Sequence, residues 1–425
     1  MEILVLERIN GAMLLYKNNK ISKELLSQIN KYLIFSLFNS AVFIYTIIVL
    51  FYRHFELSFT YIMLISSIES WFSFLFEIPS GVLSDMWSRK KTVILGIALS
   101  AISMIAYIVY PSIALFIIAE ALLATGGAFL SGTVSAIIYD KFKCNDIEEY
   151  YSDFLSLSTS RKFVVLGIVS VSSSLLFYVN IFLPFIISFI CLFISLLIFL
   201  SITDEHDLNN TKYKSKAFIS SFASNFHSIV CHIKKSLLLF KNNKILMWFT
   251  VLNAFFIVII SNIAYITQPF LQEKGFDVRY FGLFFFLCNI SSAISARRST
   301  WLYGKLKDFT FIIVALFLGI TFIMLNINNL FFCLVILILS RLGNGVVFPI
   351  LNVEINKITE DENRATVLSL TAFWSSIVLI VIDPIIGVIM DLHGIVIVCT
   401  ILGIIALAAA AGHSVWKVIK SKKRR

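Results

Sequence analysis

Long apolar runs separated by short polar turns dominate the chain. They fall near residues 32–52, 59–84, 92–110, 113–139, 163–179 and 182–202, then near 246–268, 281–296, 311–327, 330–356, 365–390 and 395–416. About 20 apolar residues carry a helix across a bilayer, so the pattern predicts an all-α membrane protein with about twelve transmembrane helices. A polar stretch over 203–245 divides them six and six. The expected organisation is a cytoplasmic N-terminal segment (1–31), a six-helix bundle (32–202), a cytoplasmic linker (203–245), a second six-helix bundle (246–416) and a basic cytoplasmic tail (417–425). Within the linker, Phe218 to Leu239 mixes apolar residues with Lys234 and Lys235, a pattern suited to an amphipathic helix on the membrane surface. The first run begins behind a polar segment, so it is not read as a cleavable signal peptide.

Charge then sets the orientation. Alternate loops together with both tails hold 31 of the 35 Lys and Arg, the opposite loops hold only Arg53, Lys274 and Arg279, and Arg341 sits inside a span. Cytoplasmic loops carry such an excess, which places both termini inside. The net charge of +10 is thereby assigned to topology and to anionic lipid, with no nucleic-acid partner. Composition agrees: 59% of residues are apolar and 14% charged, against roughly 45–50% and 25% in soluble proteins. That excludes an ordinary soluble enzyme. The six cysteines are scattered singly and the six histidines lie in loops or at span ends, without metal-ligand spacing. No phosphate-binding loop or nucleophile elbow occurs, so neither a cofactor nor a metal is expected.

The turn after the second run reads EIPSGVLSDMWSRKKTVILG. Its Gly81, Asp85, Arg89, Lys90 and Lys91 resemble the loop signature of the major facilitator superfamily, at the expected place between spans two and three. The match departs at Ser88, where Gly is usual, and at Met86, where a basic residue is common. FEIPSG (76–81), SGTVSAIIYD (131–140), QPFLQEKGF (268–276) and RATVLSL (364–370) are similar to one bacterial branch, that of drug and multidrug efflux permeases. The resemblance implies a carrier that alternates between inward- and outward-open states in the bacterial cytoplasmic membrane. The antiporter signature of the drug-exporting branches is absent: span five has only Gly167 and no Pro, and span four carries Glu120 where Arg is usual.

Charges inside the membrane are the candidate functional groups, because such residues usually face a bundle interior or aqueous cavity. At about 100° per residue, Ser66, Glu69, Ser73, Glu77, Ser80 and Ser84 share one narrow stripe of span two, which should line a cavity or meet another polar helix. In span four, Glu120 shares a face with Ala124, Gly127, Ser131 and Ser135. A lone carboxyl there could load and release a proton, and protonation of Glu120 or Glu69 is expected to bias the two states; the alternative is that the small residues beside Glu120 serve close helix packing. Arg341 in span ten is either a salt-bridge partner of Asp383, Glu69 or Glu120, or an anchor for an anionic substrate group. Asp383, next to Pro384, is the fourth acid.

The expected function is proton-coupled export of small amphiphilic molecules by a monomeric secondary transporter, with the small-molecule substrate, protons and the bilayer as partners. The alternative is proton-coupled uptake of a small metabolite held by Arg341. A membrane-embedded transferase and a transporter-like sensor are weaker readings, because clustered loop His, Asp or Arg and a soluble signalling domain are both missing from the sequence.

Overall fold

The computed structural model describes residues 23–86, 88–147, 150–203, 244–307, 309–358 and 364–422. The amphipathic helix expected at 218–239, the N-terminal segment before Lys23 and the last three residues lie outside them. The described residues form helices throughout, α1 (Lys23–Ser40), α2 (Ile48–His54), α3 (Phe59–Met86), α4 (Arg89–Val109), α5 (Ile113–Leu130), α6 (Thr133–Cys144), α7 (Tyr151–Val179), α8 (Leu183–Leu200), α9 (Lys244–Glu273), α10 (Phe281–Leu306), α11 (Phe309–Met324), α12 (Leu330–Ile358), α13 (Arg364–His393) and α14 (Ile395–Lys422). Among the described residues, ten helical segments are long and apolar enough to cross a membrane, and α11 is a shorter apolar helix. The tally departs from twelve because α11 falls short and because the first apolar run is not one helix.

That run is interrupted between α1 and α2, over residues 41–47. Unwound backbone at membrane depth needs partners for its amide groups, and side chains from elsewhere supply them. Ser188 Oγ accepts from Phe43 N within the break at 2.8 Å, while Gln268 Oε1 accepts from Val49 N at 3.1 Å and Leu50 N at 3.4 Å in the first turn of α2.

The chain separates into two compact units. The first comprises residues 1–45, 72–172 and 180–225; the second comprises 46–71, 173–179 and 226–425. Both α3 and α7 therefore pass from one unit to the other along their length. In the first unit, α4 packs on α5 and α8, and α1 on α8. The α4–α5 contact is close because both sides are glycine: a Cβ on Gly126 would stand 2.6 Å from the Gly96 carbonyl oxygen. Its core gathers Tyr32, Phe35, Phe154 and Phe199 in edge-on contacts. In the second unit, α10 packs on α12, α11 on α14, and α9 on both α12 and α13.

Candidate functional site

Two neighbouring groups of contacts in the second unit place ionisable side chains against other helices. The first centres on Asp383 of α13, which is 2% exposed. Its Oδ1 accepts from Asn262 Nδ2 of α9 at 3.1 Å, and its Oδ2 from Ser66 Oγ of α3 at 3.4 Å. Asn262 Nδ2 also donates to the Val258 carbonyl at 2.9 Å, while the buried Asn262 Oδ1 accepts no hydrogen bond among the described residues. Three residues further along both α3 and α9, Tyr265 Oη donates to Glu69 Oε2 at 3.5 Å. Three more residues along α9 comes Gln268, already bonded to α2. A three-residue step turns a helix back by about 60°. Asn262, Tyr265 and Gln268 thus sweep round α9 and reach α13, α3 and α2 in turn.

The second group lies at the start of α3. The first amides of a helix have no partner within it. Here Asp391 of α13 supplies one: Oδ1 accepts from Phe59 N at 2.8 Å, and Oδ2 accepts from Thr60 N at 2.8 Å and Thr60 Oγ1 at 2.6 Å. A carboxylate at this position satisfies orphan donors and complements the positive end of the helix dipole, and it does so from a different helix. One turn before it on α13, Gly387 makes the approach possible, since a Cβ there would lie 2.7 Å from the Phe59 oxygen and the Thr60 Cα.

The other expected residues are dispersed. On the predicted stripe of α3, Ser66 and Glu69 belong to the second unit, whereas Ser73 and Glu77 are exposed in the first, with Ser80 and Ser84 buried beyond them. Glu120 is buried on α5 of the first unit, 7% exposed. Arg341 is half-buried on α12. Its carbonyl accepts from Ser292 Oγ at 3.1 Å. Among the described residues no ion pair joins Arg341 to Asp383, whose bonded partners are neutral.

The loop signature gains a local explanation. Ser88, in the place of the usual Gly, is the N-cap of α4, its Oγ accepting from Lys91 N at 3.3 Å. Arg89 pairs with Asp140, so two of the stretches that carried the resemblance meet. Lys90 Nζ reaches the Leu200 carbonyl at 2.9 Å. The side chain of Asp85 lies outside the described residues, as do those of Arg364 to Leu370. Between α9 and α10, Asp277 caps a short turn; hydrogen bonds from the Arg279 side chain hold its carboxyl below the usual carboxylate range. Among the described residues no group of three or more His, Cys, Asp or Glu could hold a metal ion.

Asn262, Tyr265, Gly387 and Asp391 were not singled out by sequence reasoning. A signal existed for α9 in the three-residue spacing of polar groups within an apolar span. Asp391 stands at a span end, where an acid looks like ordinary loop polarity.

This is a multi-pass integral membrane protein built as bundled apolar helices. Residues 32–382 match the Major Facilitator Superfamily, and the chain belongs to that family. A curated relative, the uncharacterized MFS-type transporter YxaM of Bacillus subtilis (strain 168), is 23% identical over 223 residues, 52% of each chain. The match thus spans about half the length of that relative. Among solved structures, the nucleoside transporter NupG aligns with a TM-score of 0.70 at 14% identity, over 93% of this chain and 99% of its own. A POT family transporter in complex with a thioalcohol-conjugated peptide aligns with a TM-score of 0.70 at 13% identity, over 92% and 95%. At these identities the structures establish the fold alone.

Proposed function

We propose that the chain is a proton-coupled secondary transporter of the bacterial cytoplasmic membrane, exporting small amphiphilic molecules by alternating access, with both termini cytoplasmic. The observation that carries the coupling is Asp383. An ionised carboxyl at membrane depth is costly unless paired, and this one is 2% exposed with Asn262 and Ser66 as its bonded partners. A protonated carboxyl suits that setting: one oxygen still accepts from Asn262, and the other can donate to Ser66. Separation of α3 from α13 would expose the group to water and release the proton. Reclosure would follow reprotonation, so the proton biases which state is populated.

Amphiphilic substrates fit the Phe-rich spans, 41 Phe in all, and the excess of intramembrane acids over Arg341. Under the proposed topology the Phe59 end of α3 faces outward, and its closure against α13 belongs to the inward-open half of the cycle. Uptake of an anionic metabolite is the second reading. It is favoured by Arg341 lacking a carboxylate partner among the described residues.

The test uses everted membrane vesicles and a pH-sensitive dye. A panel of cationic and neutral amphiphiles should trigger proton release from vesicles holding the native chain. Asp383→Asn should abolish that release while retaining substrate binding, and Glu120→Gln should leave it in place. Loss in Glu120→Gln with retention in Asp383→Asn would move the coupling role to α5. No response to any amphiphile, with folded protein present, would overturn export and turn attention to anions and Arg341.

A further inference from the structure

The exposed face of α10 changes character part-way along. Leu283, Leu287, Ile290 and Ile294 recur at helical spacing and are each exposed by 39–55%. Continuing the same 80° sector, the next positions are Arg298, Trp301 and Lys305, all exposed. Lys305 Nζ stands over the Trp301 ring, 4.3 Å from its centroid. Among the described residues neither Arg298 nor Lys305 has a carboxylate partner.

The apolar part of this helix is short. Phe281 to Ala296 covers about 24 Å at 1.5 Å per residue, against about 30 Å of hydrocarbon. The helix itself continues without a break to Leu306. Arg298 is thereby brought near hydrocarbon depth on a face that none of the described residues covers. A short span is accommodated by local thinning of the bilayer and by side chains reaching toward head groups. Attraction of cations to the helix C-terminus accounts for Lys305 in the last turn, but not for Arg298 two turns earlier. Along this face the apolar stripe gives way to two cations flanking an aromatic ring, matching the acyl chain and then the phosphate level of a lipid.

We propose that this face of α10 is a binding site for one anionic phospholipid. The phosphate lies between Arg298 and Lys305 at the level of the Trp301 ring, and an acyl chain runs along Ile294 toward Leu283. The guanidinium provides a planar two-donor contact to the phosphate.

The experiment is native mass spectrometry of the full chain in detergent, titrated with phosphatidylglycerol or phosphatidylcholine. The native chain should retain phosphatidylglycerol preferentially. Each cation near an anionic lipid strengthens binding about 5-fold, so Arg298→Gln with Lys305→Gln should weaken the tightest phosphatidylglycerol event about 25-fold. Arg298→Lys with Lys305→Arg, which keeps both charges, should keep the binding and controls for folding. Trp301→Ala should lower retention with the charges intact. Equal retention of the two lipids, or unchanged phosphatidylglycerol binding in the double Gln variant, would overturn the proposal. So would competition by millimolar inorganic phosphate alone, which would mark a simple anion site.

Discussion

Two helix ends in this protein are satisfied in opposite ways. In the first unit the C-terminus of α8 is met by lysines: Lys90 reaches the Leu200 carbonyl, Lys31 the Ser201 carbonyl at 3.2 Å, and Lys141 the Thr203 carbonyl at 2.8 Å. In the second unit the N-terminus of α3 is met by Asp391. Both follow the dipole, cations at the negative end and an anion at the positive end. They differ in slack. Three long side chains from three helices share the α8 end, so each can be lost separately. At the α3 end Ser58 Oγ accepts from Tyr61 N at 3.5 Å, but the contact with α13 rests on one short carboxylate, brought close by Gly387. A junction of the first kind tolerates movement; one of the second kind is either made or broken, which suits a contact that alternates.

The sharpest way to break the second kind is to fill the gap. Gly387→Leu has no free volume to enter, and overpacking of this type costs about 1–3 kcal/mol. The expected result is separation of α3 from α13. A cysteine placed at Ile62, 1% exposed, should then react with a membrane-impermeant maleimide much faster than in the Gly387 background. Unchanged labelling would mean that α3 and α13 re-dock elsewhere. Asp391→Ala should act in the same direction with a smaller effect, about 1–2 kcal/mol for a lost cap, read as a lower melting midpoint in detergent. Asp391→Asn keeps one acceptor oxygen and should fall between. By contrast, Lys90→Met should move the midpoint within error, because Lys31 and Lys141 still hold the α8 end.

The contrast also explains what could be read in advance. Helical class and the Arg89 loop were legible because each is written in residues that rarely occur there otherwise. Glu69 and Ser66 were legible as part of a stripe, since a polar sector on an apolar helix must face something. Which helix it faces was not, because that depends on α9 and α13, more than 190 residues away. The break in the first span left no trace: residues 32–52 read as one apolar run. The partners that make unwinding tolerable, Ser188 and Gln268, lie in α8 and α9. Asn262 was invisible for a related reason, since an uncharged amide in an apolar span does not stand out until its carboxylate partner is in place.

A small effect is also expected where the sequence signal was strongest. Arg89 of the loop signature pairs with Asp140 from the 131–140 stretch, yet their side chains are 18% and 34% exposed. Partly solvated pairs of this kind contribute about 0.2–1 kcal/mol in double-mutant cycles. A cycle of Arg89→Gln and Asp140→Asn should therefore give a coupling near the lower end in stability, measured as melting midpoints in detergent. If the pair serves the transport cycle, the coupling should appear in transport rate instead, with each single variant slowing transport as much as the double. A stability coupling well above 1 kcal/mol would make this loop a rigid clamp, and the difference in slack between the two helix ends would disappear.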